Sequence, residues 1–118
     1  MRSYGDRRRL TPEIHEHCLR AVGTPGDRLD CATLPGQILG ATPWLGGLRA
    51  QRAALAEKLA LIVWGMRDIA FREKGLNRWI EALPQAQVAR LSAVGHYLQD
   101  EAPDEVNAAV RRFLGAAG

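Results

Sequence analysis

An α/β fold class is predicted for the second half of this 118-residue chain by two apolar segments of strand length, an amphipathic helix between them and a closing helix. The first segment, Leu59-Ala60-Leu61-Ile62-Val63-Trp64, is apolar throughout and ends at Gly65. A run this short, with Ile and Val inside it, reads as a strand buried on both faces. The second, residues 87–92, alternates Ala89 and Leu91 with Val88, Arg90 and Ser92, so one of its faces is partly wet. Between them, residues 72–83 put Leu76, Trp79, Ile80 and Leu83 on one stripe, and Pro84 stops the helix. Two strands joined in this way form a parallel pair with a right-handed crossover.

The first half reads as helical. Residues 11–22 open with Thr11 as N-cap, Pro12 in the first helical position and Glu13 at the positive end of the dipole, and Gly23 ends them. Thr24-Pro25-Gly26-Asp27 marks a turn or a second helix start. Residues 32–43, rich in Gly and Pro, read as a connector with at most a short helix. Pro43 opens a helix to about residue 57, weakened in its first turn by Gly46 and Gly47. The last helix runs from Pro103 to about Leu114, with Asp104 and Glu105 at its start and Arg111 and Arg112 near its end.

Charge argues against a nucleic-acid partner. The net charge is +3, from 16 basic and 13 acidic residues. Residues 1–9 hold four of the former (Arg2, Arg7, Arg8, Arg9) and one of the latter (Asp6), which leaves 12 and 12 elsewhere. The excess therefore sits in a loose terminal segment rather than on a folded basic face. No apolar run approaches the ~20 residues of a membrane span, and no apolar stretch follows the arginines as in a signal peptide. Cys18 and Cys31 form no Cys-x-x-Cys or zinc spacing, and the reading is of reduced, partly buried thiols in a cytoplasmic protein.

The strand at 59–64 has the composition of a central strand, yet residues 87–92 supply only one neighbour and nothing in residues 1–58 supplies the other. A two-stranded parallel sheet with a bare apolar edge is not a stable design. The chain is expected to be the end of a larger sheet, with an open edge that takes a second copy or an N-terminal partner chain.

Two residues stand where chemistry is expected. Asp68 follows the first strand and His96 the second. In a parallel sheet both loops leave the same edge, where open α/β sheets bind ligands. A carboxylate there can fix the histidine tautomer and stabilise its cation. Either residue alone is better explained as a turn aspartate or a loop histidine, and it is the pairing on adjacent strand ends that raises the catalytic reading to equal standing.

The stretch 61–68, Leu-Ile-Val-Trp-Gly-Met-Arg-Asp, followed by 95–103, Gly-His-Tyr-Leu-Gln-Asp-Glu-Ala-Pro, resembles the closing segment of α/β-hydrolases. Gly-Met-Arg-Asp-Ile-Ala-Phe (65–71) and the spacing to Arg78-Trp79 resemble haloalkane dehalogenases; epoxide hydrolases share the pattern. The resemblance covers residues 59–115, and residues 10–57 are more loosely similar to the tail of a cap domain and the helix returning to the core. It implies a helical cap-domain remnant and connector over 1–42 and the C-terminal part of an α/β-hydrolase core over 43–118. It also implies a small organic halide or epoxide as substrate of the intact enzyme, His96 as general base and Asp68 as its orienting acid. In the family a nucleophile forms an ester that the histidine-activated water hydrolyses.

No nucleophile accompanies the pair. Ser3 and Ser92 lie in no Gly-x-Ser-x-Gly pattern, no Asp has glycines two before and two after it, and Cys18 and Cys31 lack such an elbow. The expectation is a truncated hydrolase that is inactive alone and needs no cofactor. Epoxide hydrolysis, which calls for cap tyrosines, finds only Tyr4 and Tyr97; a non-enzymatic interaction subunit is the other alternative. His15 and His17, two apart, point to different faces, and no metal site is expected. Trp44, Trp64 and Trp79 match no halide-donor position and are assigned to packing.

Overall fold

A computed structural model describes residues 3–116, the last of these for its backbone only. Arg2, part of the basic run, lies outside the described residues. The chain forms two compact units, one of residues 11–53 and one joining residues 1–10 to 54–118. The boundary expected at 42/43 falls inside the first of these.

The unit of residues 11–53 is helical. Helix α1 (Pro12–Arg20) starts as its sequence dictates, with the Thr11 side chain accepting from the Ile14 amide at 3.3 Å. Helix α2 (Pro25–Gly40) opens on a reciprocal capping box. The Asp27 amide donates to Thr24 Oγ1 at 3.2 Å, and the Thr24 amide donates to Asp27 Oδ2 at 2.9 Å. This corrects the connector expected over 32–43, because α2 continues through Pro35. A capped start carries the cost of nucleation, and a proline within the helix then forfeits one amide bond without ending it. Helix α3 (Thr42–Ala50) is shorter than expected and tightens into a 3-10 turn over Gln51–Leu55. Its start has no side-chain cap, and Gly46 and Gly47 lower its propensity. None of the three helices buries a residue.

The other unit contains the sheet. Strands β1 (Leu61–Gly65) and β2 (Gln87–Leu91) pair in parallel, from Leu61 opposite Gln87 to Gly65 opposite Leu91. Helix α4 (Glu73–Ala82) joins them, and a Cβ on its Gly75 would stand 3.4 Å from the Trp64 indole. Leu76 on α4 is fully buried. After β2 come the short helix α5 (Leu98–Glu101) and helix α6 (Pro103–Ala116), which packs on both strands. The core consists of Leu76, Val94, Ala102, Ala109 and, from the other end of the chain, Tyr4.

Two expectations are corrected here. Strand β1 is half-buried over Leu61 to Trp64 instead of covered on both faces, because it has one strand neighbour among the described residues. Residues 3–6 are not loose: the Tyr4 ring is buried and stacks near Tyr97, with centroids 5.3 Å apart. An aromatic side chain gains enough from burial to fix a short segment that its polar neighbours alone would leave mobile.

Candidate active site

Asp68 and His96 are brought together by the pairing of the strands. Beyond β1 the chain turns sharply, with the Asp68 amide donating to Gly65 O at 3.2 Å. The turn is tied to the loop after β2 by two further bonds. The Met66 amide donates to Leu91 O at 3.0 Å and the Arg67 amide to Val94 O at 2.9 Å. Both loops thus leave the same sheet edge in fixed register, as the parallel order requires.

The Asp68 carboxylate serves two purposes at once. Oδ1 accepts from the amides of Ala70 at 2.7 Å and Phe71 at 3.0 Å, which orders the turn before α4. Oδ2 lies 2.9 Å from His96 Nδ1. The turn aspartate and the histidine partner are therefore one residue, with one oxygen for each task. The Asp68 side chain is 4% exposed and that of His96 32%, so the carboxylate is enclosed and the imidazole reaches solvent. Burial pushes the Asp68 carboxyl up. The Phe71 amide, the His96 ring, the Ala70 amide and the charge of His96 outweigh it and hold the group below its ordinary range.

This arrangement sets the tautomer. An ionised carboxylate only accepts, so Nδ1 carries the proton toward Asp68 and Nε2, across the ring, keeps its lone pair. The imidazole lies beside two aromatic rings. Phe71 lies 5.2 Å away and tilted by 32°, and Tyr97 presents itself edge-on at 5.3 Å. Such contacts restrict the orientation of the ring.

Other sequence candidates lie elsewhere. His15 and His17 are exposed on α1, and the described residues contain no cluster of three metal-ligating side chains. Cys18 is part-buried, whereas Cys31 is exposed, contrary to expectation. Of the tryptophans assigned to packing, Trp64 packs near Phe71, but Trp44 and Trp79 stand largely exposed. The sequence reading missed Glu101, a buried carboxylate beside the histidine loop, and the Tyr4-Gly5 pair it touches. An acidic residue five positions after the histidine, in a segment whose alanines and leucines are apolar, is the signal that could have revealed it.

No protein-family profile matches the chain. Over 113 residues, 94% of its length, it is 33% identical to haloalkane dehalogenase 2 of Mycobacterium tuberculosis and of Mycobacterium bovis. The matched stretch is 40% of those proteins, so the chain spans about two fifths of their length. Over 67 residues, 57% of the chain, it is 34% identical to the cis-3-alkyl-4-alkyloxetan-2-one decarboxylase of Shewanella oneidensis, covering 21% of that protein. Similarity that spans nearly the whole chain on one side and part of the enzyme on the other makes this protein a haloalkane dehalogenase-like homologue within the α/β-hydrolase superfamily.

Proposed function

We propose that residues 43–118 act as the C-terminal part of an α/β-hydrolase core that hydrolyses carbon–halogen bonds, with His96 as general base and Asp68 as orienting acid. The observation that carries this is the 2.9 Å contact between His96 Nδ1 and an Asp68 oxygen whose partner oxygen is already held by two amides. Residues 1–42 correspond to a helical cap-domain remnant and connector in the same scheme.

The reaction runs in two displacements. A carboxylate nucleophile outside these 118 residues, in the same polypeptide or in another chain, displaces halide from carbon and becomes an alkyl ester. Water then adds to the ester carbonyl and passes its proton to His96 Nε2, while Asp68 stabilises the imidazolium. Collapse of the tetrahedral intermediate expels the alkoxide, which takes the proton from the imidazolium and leaves as the alcohol, and the second proton of the water is lost to solvent as the carboxylate is restored. The oxyanion donors accompany the nucleophile. Small chloro- or bromoalkanes are the substrate class, by the name of the dehalogenase relatives. The half-covered β1 and the exposed apolar residues of α2 and α3 favour association with that nucleophile-bearing region or with a second copy. A reducing, cytoplasmic setting suits the unpaired Cys18 and Cys31.

Halide release by the purified chain tests the proposal. The 118 residues alone release none above buffer, because no ester forms for His96 to act on. Adding the nucleophile-bearing part of a haloalkane dehalogenase as a separate chain restores release, which then depends on His96 and less absolutely on Asp68. Turnover by the chain alone, abolished in His96→Ala, contradicts the proposal.

A further inference from the structure

Glu101 takes no part in the acid–histidine pair, yet its residue is 3% exposed and its two carboxylate oxygens reach two separate stretches of chain. Oε1 accepts from the amide of Gly95, the residue before His96, at 3.0 Å. Oε2 accepts from the Gly5 amide at 2.8 Å and from the Asp6 amide at 3.4 Å. A carboxylate this buried is tolerated only with such donors. The His96 amide itself donates to Ser3 O at 2.8 Å. Helix α5 returns Glu101 to this point, its amide donating to Tyr97 O at 2.8 Å.

Glycines make the approach possible. A Cβ on Gly5 would stand 2.6 Å from Ala93 O and 2.7 Å from Gly95 N. On Gly95 it would run into Ser3 O, and on Gly65 into Gly95 O. The end of β1, the histidine loop and residues 3–6 therefore touch backbone to backbone, and Glu101 bonds across two of the three. A displacement of the Gly95 peptide moves the His96 Cα directly, and a shift of about 1 Å takes the ring nitrogen out of hydrogen-bond range of Asp68.

We propose that Glu101 is a positioning residue whose carboxylate clamps the His96 loop to residues 3–6 and thereby sets Nδ1 against Asp68. This rests on His96 being the general base, but the geometry it fixes is measurable without turnover. The test is NMR of the full chain, following the His96 ring nitrogens and the amides of Gly5, Gly95 and His96. The unsubstituted protein shows a protonated, slowly exchanging Nδ1. In Glu101→Ala that proton exchanges at least about tenfold faster, by the loss of a charge-assisted bond to the loop, while the amide signals of β1, β2 and α6 persist. Glu101→Gln restores part of the protection, since its single carboxamide oxygen serves one segment only. An unchanged Nδ1 proton in a folded Glu101→Ala overturns the proposal. Should Glu101→Ala not fold, amide exchange in the unsubstituted chain decides. Common protection of Gly5, Gly95 and His96 supports the clamp, and free exchange at Gly5 beside a protected Gly95 overturns it. An intact Nδ1 signal in a reconstituted enzyme whose turnover ignores His96→Ala would instead sink the general-base reading and leave the clamp standing.

Discussion

One oxygen of Asp68 faces His96 Nδ1 at 2.9 Å while the other holds the amides of Ala70 and Phe71, so the residue that builds the turn also contacts the imidazole. Removing it has two separable effects. Asp68→Ala leaves two amides without their acceptor and costs about 1–3 kcal/mol of stability, read by chemical denaturation. Asp68→Asn keeps an acceptor for those amides and costs less. Its amide nitrogen then faces Nδ1, which must become an acceptor, so the His96 proton moves to Nε2. A nitrogen spectrum showing the Nδ1-protonated ring unchanged in Asp68→Asn would refute this assignment.

Acid sensitivity follows from the same carboxylate. The folded state holds Asp68 below its ordinary value of 3.8. A depressed acid contributes stability that is fully present above the unfolded-state value and is lost as pH falls through the folded-state value. The stability that the carboxylate gives the unsubstituted chain over Asp68→Asn should therefore shrink as pH falls below about 4. A difference that grows as pH falls below about 4 has the wrong sign for this account.

Glycines divide into two groups with opposite expected responses. Gly65→Ala and Gly95→Ala drive a Cβ into backbone carbonyls at the sheet edge and should cost roughly 1–3 kcal/mol or more. Gly36→Ala in α2 and Gly47→Ala in α3 meet no atom within 4 Å and should stabilise their helices by about 0.5–1 kcal/mol. Thermal melts of the four variants check the contrast, and equal shifts in both groups would show that the close approach at Gly65 and Gly95 is not as described.

Apolar exposure predicts association. Leu39 and Trp44 are 75% and 65% exposed, with further exposed leucines along α2 and α3. Sedimentation velocity at rising concentration should show self-association that weakens in the double variant Leu39→Glu, Trp44→Glu. A chain that stays monomeric at high concentration contradicts the expectation.

Period and composition made the second half of the chain legible. The Leu59-to-Trp64 run and the 87–92 alternation became β1 and β2 within two residues of the expected ends, and their parallel order put Asp68 and His96 on one edge. Three features escaped for physical reasons. Helix α2 crosses Pro35 because a remote capping box, not local propensity, decides whether it starts. The position of residues 3–6 depends on Tyr4 and on Glu101, almost a full chain length away, and no local pattern encodes such a contact. Half-burial of β1 depends on which neighbours are present, a matter of tertiary structure that an apolar run cannot report. The acid–histidine pair was legible because it needs only strand order; the clamp behind it was not, because it needs coordinates.

The most direct measurement of the central claim is single-turnover chemistry in a chimera. Haloalkane dehalogenase 2 of Mycobacterium tuberculosis would carry this chain in place of its matched stretch. With a bromoalkane, the chimera should release halide continuously. The His96→Ala chimera should release about one halide per protein and stop, with the alkyl ester retained on the protein by mass, since displacement of halide does not need the base and ester hydrolysis does. Continuous release from the His96→Ala chimera at the rate of its parent would show that His96 is not the general base.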